Sequence, residues 1–429
     1  MSTVGAASPR PHHLRLVRST ERSLSRARAD ARSRRIVTLL LGTTAFLVAT
    51  GLVMVLSASS VSAFADYGDS FVFVQRQAVY AVIGVLALVV TSRMRYEVWK
   101  RVALPLLLLT LGMLAIVLHP SSGIEAYGSS RWFRLGPVTV QPSELAKFTL
   151  VVFTAAVLAR KWGKLDDLGQ LAMPLLPVTA IVCGLVMLQP DLGTTVIISG
   201  TVFLVLFVAG VRLRYLTIAG ITGIVIGAGL IMSADYRRVR FLAFLHPWED
   251  AQSTGYQLIQ SLIALGSGGF TGVGLGASRQ KWEYVPNAHT DFIFSILGEE
   301  LGLIGEIVVL LAFGSLLYAG VVIATRTADV FGRLLASGIV AWFGLQTLVN
   351  LGAVTGLLPV TGVPLPFLSY GGSSLVVSLA AVGVLVRIAR APIRTTSRAG
   401  TGSRDNARTR TGTGRTSRAG TRTAGGRAR

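Results

Sequence analysis

The sequence predicts an all-α, polytopic integral membrane protein with about ten transmembrane helices. Of the 429 residues, 52% are hydrophobic and only 14% are charged, a balance typical of membrane proteins. Ten apolar runs are long enough to cross the ~30 Å of bilayer hydrocarbon. They lie near residues 36–58, 75–92, 102–119, 143–160, 171–188, 191–210, 215–232, 291–324, 334–355 and 374–390.

Both ends of the chain are basic and poor in apolar residues. Residues 1–35 hold nine arginines and are predicted to be a disordered cytoplasmic tail. Residues 36–391 form the predicted membrane domain, and the Arg/Thr/Gly-rich residues 392–429 are predicted to be a second disordered cytoplasmic tail. The net charge of +21, concentrated outside the apolar runs, favours contact with anionic membrane lipids rather than nucleic acid.

The distribution of lysine and arginine predicts the orientation. Basic residues mark the short loops on one side, and such loops are normally cytoplasmic. Both termini are therefore expected to be cytoplasmic. The opposite side receives loops 59–74, 120–142, 189–190, 233–290 and 356–373, and the largest lies between spans seven and eight. The basic loop residues are Arg93, Arg95, Lys100, Arg101, Arg160, Lys161, Lys164, Arg212, Arg214, Arg326 and Arg333.

A histidine and a carboxylate stand two residues apart where the largest loop meets an apolar run. An ionisable pair such as His289 and Asp291 at the mouth of a membrane span is costly, which makes it a candidate functional site. The alternative is an interfacial histidine beside an aspartate that caps a helix. These two residues alone do not separate the alternatives.

A lysine one turn inside an apolar run marks a second cluster. Glu144 and Lys147 are three residues apart and share a helix face. They form either a structural ion pair or, with Arg131 from the preceding loop, a cationic site for an anionic headgroup.

Two further polar clusters lie on the same predicted face. Asp191 follows Pro190 at a tight turn and is either a helix cap or a site residue. The segment 361–374 is rich in proline and glycine, so it predicts irregular backbone near the membrane surface, where protein or water must surround it. It contains Ser369, Tyr370 and Ser373. The clusters predict a polar cavity for an anionic, lipid-linked substrate, and they leave a transferase and a transporter both open.

Several segments resemble the signature segments of the SEDS family (shape, elongation, division and sporulation proteins). The resemblance covers nearly all of residues 36–390. The segment Pro364–Ser374 and the basic ends are more similar to the division branch of the family than to the elongation branch. The matching segments are Gly128–Lys147, Gln189–Thr194, Lys281–Gly302 and Asn350–Ser374.

The resemblance implies a peptidoglycan glycosyltransferase that polymerises lipid II during septal wall synthesis in the bacterial cell membrane. It implies a cognate class B penicillin-binding transpeptidase and other division proteins as partners. Asp291 matches the family carboxylate and is expected to be the general base, while Arg131, Lys147 and Arg76 are expected to bind the diphosphate. The remaining expected substrate-binding residues are Glu144, Asp191, His289, Ser369, Tyr370 and Ser373.

Some features depart from this reading or leave it open. Many relatives carry glutamate where this chain has Asn287, so a role of that glutamate would pass to Glu283 or another carboxylate. Mg²⁺ or Mn²⁺ is an expected cofactor, although no ligand spacing shows a metal site. The alternatives are an elongation-type SEDS glycosyltransferase, a lipid II flippase and a non-catalytic division scaffold. A flippase should present charges through the full membrane depth, where Glu299, Glu300 and Glu306 are the main charges.

Overall fold

The computed structural model describes residues 12–119, 124–126, 129–135, 138–163, 168–253, 255–282 and 288–391. The first helix already begins at His12, within the tail predicted to be disordered. Its sequence alternates arginine with alanine, leucine and serine, and the adjoining span provides a helix on which these residues can continue. The predicted C-terminal tail lies outside the described residues.

The described residues contain twelve α-helices, of which ten coincide with the ten apolar runs, while the eighth and ninth lie in the predicted loop 233–290. The helices are α1 (His12–Tyr67), α2 (Val72–Arg93), α3 (Glu97–Val117), α4 (Pro142–Arg160), α5 (Leu168–Met187), α6 (Leu192–Val208), α7 (Leu213–Met232), α8 (Asp235–Leu245), α9 (Tyr256–Ser267), α10 (Ile293–Arg326), α11 (Val330–Val354) and α12 (Gly372–Ala389).

Within the described ranges, eight helices are long and apolar enough to cross a membrane. They are α1, α2, α3, α4, α7, α10, α11 and α12. The other two predicted spans correspond to α5 and α6, whose apolar parts Met173–Met187 and Leu192–Val208 are shorter. The helical membrane fold is confirmed, and the count of ten crossings stays a prediction.

A small antiparallel sheet, which the sequence analysis did not predict, precedes α4. It consists of β1 (Ile124–Ala126), β2 (Ser129–Leu135) and β3 (Val138–Val140) in the order β1-β2-β3. In its register Phe133 pairs with Val140 and Arg134 with Thr139. Aromatic and β-branched residues favour strands, but runs of three to seven residues are too short to stand out in an apolar chain.

Glycines allow α2 and α12 to pack at close range. Gly84 of α2 lies against Leu379, and Gly383 of α12 lies against Thr91. The Thr91 hydroxyl donates to the main-chain oxygen of Ala380 at 2.9 Å. Small residues at helix interfaces let backbones approach closely in membranes. At the start of α12, Gly372 lies against Tyr80, so this end of α12 is held beside the N-terminal half of α2, where the site is built.

The long helix α10 is broken at Gly302, where φ is +64° and ψ is −169°. A left-handed φ of this kind is accessible to glycine with little strain. The break separates Ile293–Leu301, which follows Asp291, from the longer portion that ends at Arg326. The glycine therefore sets the direction in which the start of α10, and with it the His289–Asp291 turn, meets the other helices.

Candidate functional site

Asp291 lies in the turn immediately before α10. Its side chain is half-buried. The Thr290 hydroxyl donates to Oδ1 at 3.0 Å, and Oδ2 faces the backbone of Gly362 in the segment before α12. The Asn350 side chain of α11 donates to the main-chain oxygen of Asp291 at 2.7 Å. The backbone of Asp291 is thus held by α11, while its carboxylate contacts Thr290 and the 361–371 segment.

Burial raises the pKa of Asp291 to about 6, although the Thr290 hydrogen bond and the positive charge of Arg240 lower it. At neutral pH the carboxylate is ionised, yet it is much more basic than an exposed aspartate. A pKa close to the working pH is the property that a general base needs. The environment of Asp291 therefore suits proton acceptance.

An aromatic cluster covers the turn on its other side. The His289 ring lies 4.8 Å from the Phe73 ring and 5.5 Å from the Tyr370 ring, measured between centroids. The Tyr370 backbone N–H donates to the His289 main-chain oxygen at 2.9 Å. Burial lowers the pKa of His289 to about 4. His289 is consequently a neutral ring at physiological pH and adds no positive charge to the site.

Two exposed arginines flank this turn. Arg76 lies over the Tyr67 ring, 5.5 Å from its centroid, and its positive charge acts to lower the pKa of Tyr370, which burial raises. Arg240 of α8 is close enough to Asp291 to lower its pKa. Sequence reasoning selected Arg76 but not Arg240, because nothing in the local sequence separates Arg240 from Arg237 and Arg238. Their exposure leaves both guanidinium groups accessible to an anionic ligand.

Asn350 is a second site residue that sequence reasoning did not select. Its Nδ2 donates to the main-chain oxygens of Asp291 and Val363, at 2.7 and 2.8 Å. Its Oδ1 is buried without a hydrogen-bond partner among the described residues. An amide within the apolar sequence of α11 was the available signal, since a polar group within a span usually has a specific partner.

Arg131 and Asp191 meet at the turn between α5 and α6. The Arg131 guanidinium donates from Nε to the Gln189 main-chain oxygen at 2.8 Å and from Nη2 to that of Pro190 at 2.6 Å. Asp191 caps α6, because Oδ1 accepts from the Thr194 backbone N–H at 3.0 Å and Oδ2 from the Thr194 hydroxyl at 2.9 Å. In this geometry Arg131 ties β2 to the turn, and the capping alternative for Asp191 is realised.

Lys147 is enclosed between α4 and α11. Its Nζ donates to Glu144 Oε1 at 2.7 Å and to Gln346 Oε1 at 2.8 Å, and the side chains of the ion pair are 1% and 2% exposed. The Trp342 indole also donates to Gln346. The structural alternative for the Glu144–Lys147 pair therefore describes this conformation, in which the ammonium is buried and bonded to Glu144 and Gln346.

Ser369 and Ser373 shape the segment before α12. The Ser369 hydroxyl accepts from the Leu365 backbone N–H at 2.8 Å. The Ser373 hydroxyl accepts from the Gln141 backbone N–H and donates to the Thr139 main-chain oxygen, both at 3.0 Å. Ser373 thereby joins β3 to α12. Together with the contact of Gly193 with Val363, these bonds place all four predicted polar clusters in one connected region, called the site face below.

Lys164, Glu283 and Asn287, which the sequence analysis names, lie outside the described residues. Among the residues that the structure does describe, no three His, Cys, Asp or Glu side chains converge to hold a metal ion. The expected Mg²⁺ or Mn²⁺ stays a prediction.

Sequence comparison assigns most of the chain to one family. Residues 37–392 match the FtsW/RodA/SpoVE family, described as "Cell cycle protein". The chain is 46% identical over 338 residues to the probable peptidoglycan glycosyltransferase FtsW of Geobacter metallireducens, covering 79% of this chain and 90% of that protein. It is 43% identical over 347 residues to stage V sporulation protein E of Bacillus subtilis, covering 81% and 95%.

Solved structures give the same result. One similar chain belongs to a peptidoglycan synthase complex described as coordinating polymerization and crosslinking, with a TM-score of 0.66 and 34% identity over 82% of this chain and 96% of that one. Another is the rod shape determining protein RodA of Thermus thermophilus, with a TM-score of 0.61 and 31% identity over 82% and 95%.

The fold and the site define a polytopic helical membrane protein with a half-buried carboxylate and exposed arginines at one face of the helix bundle. The chain belongs to the SEDS family, within which it is FtsW-like.

Proposed function

We propose that the chain is a peptidoglycan glycosyltransferase that polymerises lipid II into glycan strands during septal wall synthesis. The main observation behind this proposal is the half-buried Asp291 carboxylate, whose pKa is raised to about 6. It lies beside the exposed cations of the site face. The relatives named peptidoglycan glycosyltransferase support the same activity.

Asp291 acts as the general base in this mechanism. Its carboxylate accepts the proton of the 4-hydroxyl of an acceptor sugar as that oxygen attacks the anomeric carbon of the donor. The new glycosidic bond forms while the bond from the anomeric carbon to the diphosphate oxygen breaks. The polyprenyl diphosphate leaves with the bonding electron pair, and Asp291 is left protonated.

Positive charge stabilises the departing diphosphate. Among the three predicted cations, Arg76 has the exposed guanidinium, and Arg240 joins it from α8. Lys147 and Arg131 also remain proposed diphosphate ligands, but each has to release part of its present hydrogen bonding to reach the ligand. Electrostatic assistance by Arg76 and Arg240 needs no such rearrangement.

The deep carboxylates argue for an enzyme over a flippase. Glu299 accepts from the Arg279 backbone N–H at 2.9 Å and from the Ser278 hydroxyl, while Glu300 accepts from the Ser57 hydroxyl at 2.5 Å. Both side chains are buried and engaged with the loop after α9. Glu299 and Glu300 are therefore not free charges along a transport route.

The proposal includes orientation and partners. Basic loops support cytoplasmic termini and an extracytoplasmic site face. A thiol reagent added outside cells should label a cysteine placed within residues 240–280 at an exposed position outside the segment 268–276, and it should miss one at Gly163 or Ala328. The solved complex that couples polymerization with crosslinking supports a class B transpeptidase partner. Other division proteins, anionic lipids at the basic tails and a septal location complete the proposal.

The decisive experiment supplies labelled lipid II to the purified protein together with its transpeptidase. Glycan polymer should form with wild type and be absent with Asp291→Asn. Absence of polymer from the wild-type complex would overturn the proposed reaction. If wild type and Asp291→Asn both move lipid II across a vesicle membrane and neither forms polymer, the protein is instead a flippase.

A further inference from the structure

The break in α10 is closed by a turn from another part of the chain. In an unbroken helix, Leu303 and Ile304 would donate to the main-chain oxygens of Glu299 and Glu300. Here Leu303 N–H donates to Gly269 O at 2.9 Å and Ile304 N–H to Phe270 O at 3.2 Å. The break at Gly302 thus leaves two donors that the preceding turn satisfies.

The two freed acceptors are satisfied by the same turn. Val273 N–H donates to Glu299 O at 3.0 Å, and Gly274 N–H donates to Glu300 O at 3.1 Å. The segment 268–276, called the glycine turn below, therefore replaces both hydrogen bonds that the kink removes. Irregular backbone is tolerated at membrane depth only when its polar groups are paired in this way.

The glycine turn also exposes large apolar side chains. Phe270 is 76% exposed and Leu275 is 62% exposed, and they adjoin Ile304 of α10, which is 57% exposed. Residues 251–278 contain no Asp, Glu, Lys or Arg. A contiguous exposed apolar surface marks an interaction site, and here it continues directly into the apolar surface of a membrane helix.

Helix length places this surface at the edge of the bilayer. The 24 residues Leu303–Arg326 span about 36 Å at 1.5 Å per residue. With Arg326 in one headgroup region, the kink at Gly302 lies at the opposite border of the ~30 Å hydrocarbon layer. The side chains of the glycine turn are thus at the depth of the headgroup and acyl-chain boundary.

We propose that the glycine turn is a membrane-inserted segment that anchors the loop between α7 and α10 in the lipid leaflet at the site face. Phe270, Val273 and Leu275 enter the acyl region, as apolar faces of interfacial segments do to a depth of ~5–10 Å. The lipid chains, rather than a protein partner, cover this surface, because the apolar continuity with Ile304 leads into the lipid-facing side of α10. The proposal is independent of the catalytic role of Asp291.

The test measures immersion depth with nitroxide labels in a Cys183→Ala background. Single cysteines replace Phe270 and Leu275, with Leu311 in the middle of α10 as the lipid reference and Asp66 at the exposed end of α1 as the water reference. The protein is placed alone in vesicles of phosphatidylethanolamine and phosphatidylglycerol. Collision rates with oxygen, which concentrates in lipid, and with a water-soluble nickel chelate are measured at each position.

The expected result is an oxygen-to-nickel collision ratio at 270 and 275 several-fold above that at 66 and approaching that at 311. A ratio at 270 and 275 equal to that at 66 places the turn in water and overturns the proposal. Low collision rates with both reagents show that protein, such as a second copy of the chain, covers the turn, and this result overturns it as well. The ratio at 311 verifies in each preparation that the domain is inserted.

Discussion

The side-chain amide of Asn350 donates to the main-chain oxygen of Asp291 at 2.7 Å, across 59 residues of sequence. The same Nδ2 donates to the Val363 main-chain oxygen. One amide thus joins α11, the turn before α10 and the segment before α12. It fixes the backbone that carries the carboxylate proposed as the general base, without touching the carboxylate itself.

Replacing Asn350 by leucine should slow polymerisation by about tenfold to a hundredfold, because a small displacement of a catalytic group has effects of that order. Both carbonyl oxygens lose their donor while the side-chain volume is nearly kept. Initial rates of glycan formation from labelled lipid II provide the measurement. Thr347→Val is the matched control, since its hydroxyl is buried on the same helix without a hydrogen-bond partner. Equal rates for the two variants would remove the positioning role.

Asp291→Asn should lower the polymerisation rate by ~10²–10⁴-fold, the usual contribution of a general base. Protein level and transpeptidase binding should be unchanged, because asparagine has nearly the same shape. The base works only when deprotonated, so the wild-type rate should fall about tenfold per pH unit below its pKa of about 6. A pH profile that stays flat down to pH ~4.5 would contradict this role.

Arg240→Gln should shift the acid limb of that pH profile to higher pH. Removing the positive charge removes an interaction that lowers the pKa of Asp291, so the carboxylate takes up its proton at higher pH. Arg238→Gln is the control on the same helix, because Arg238 forms an ion pair with Asp235, in which Nη2 lies 3.7 Å from Oδ1. The assignment of Arg240 to the site fails if both variants give the wild-type profile.

Lys147→Met should destabilise the protein by ~3–5 kcal/mol, because it leaves the buried Glu144 carboxylate without its partner. The double variant Glu144→Gln/Lys147→Met should recover most of that loss, measured by thermal unfolding in detergent. A double variant as unstable as the single one would contradict the structural pairing. The polymerisation rate of the double variant then tests whether Lys147 binds the diphosphate. A full return of activity would exclude that role.

Gly272→Ala should lower thermal stability more than Gly276→Ala. Both glycines have left-handed φ values, +79° and +78°, so alanine costs each of them ~1–2 kcal/mol of backbone strain. A Cβ at Gly272 would also collide with the main-chain oxygen of Glu300, whereas one at Gly276 meets open space. Equal unfolding temperatures of the two variants would show that the turn does not close the break in α10.

Much of this architecture could be predicted because membrane spans depend on local composition. Each apolar run became a helix, and Asp291 was selected because a charge at the start of a span is costly. Arg240 and Asn350 were missed because their importance arises from contacts with residues more than fifty positions away. The break in α10 was missed for a related reason: a glycine in an apolar run gives no indication of a turn earlier in the chain that pairs with its neighbours.

The packing of α2 against α12 has a consequence for biosynthesis. The two contact residues Thr91 and Ala380 are 289 positions apart, so α2 enters the membrane long before its partner has been translated. Until then the Thr91 hydroxyl can remain bonded to the Ala87 main-chain oxygen of its own helix, at 2.9 Å. Because Gln77 of α2 also bonds the main chain of Ser369, the mouth of the site is completed only when the last helix is inserted. A chain released before α12 would therefore lack a formed site, however well its earlier helices had assembled.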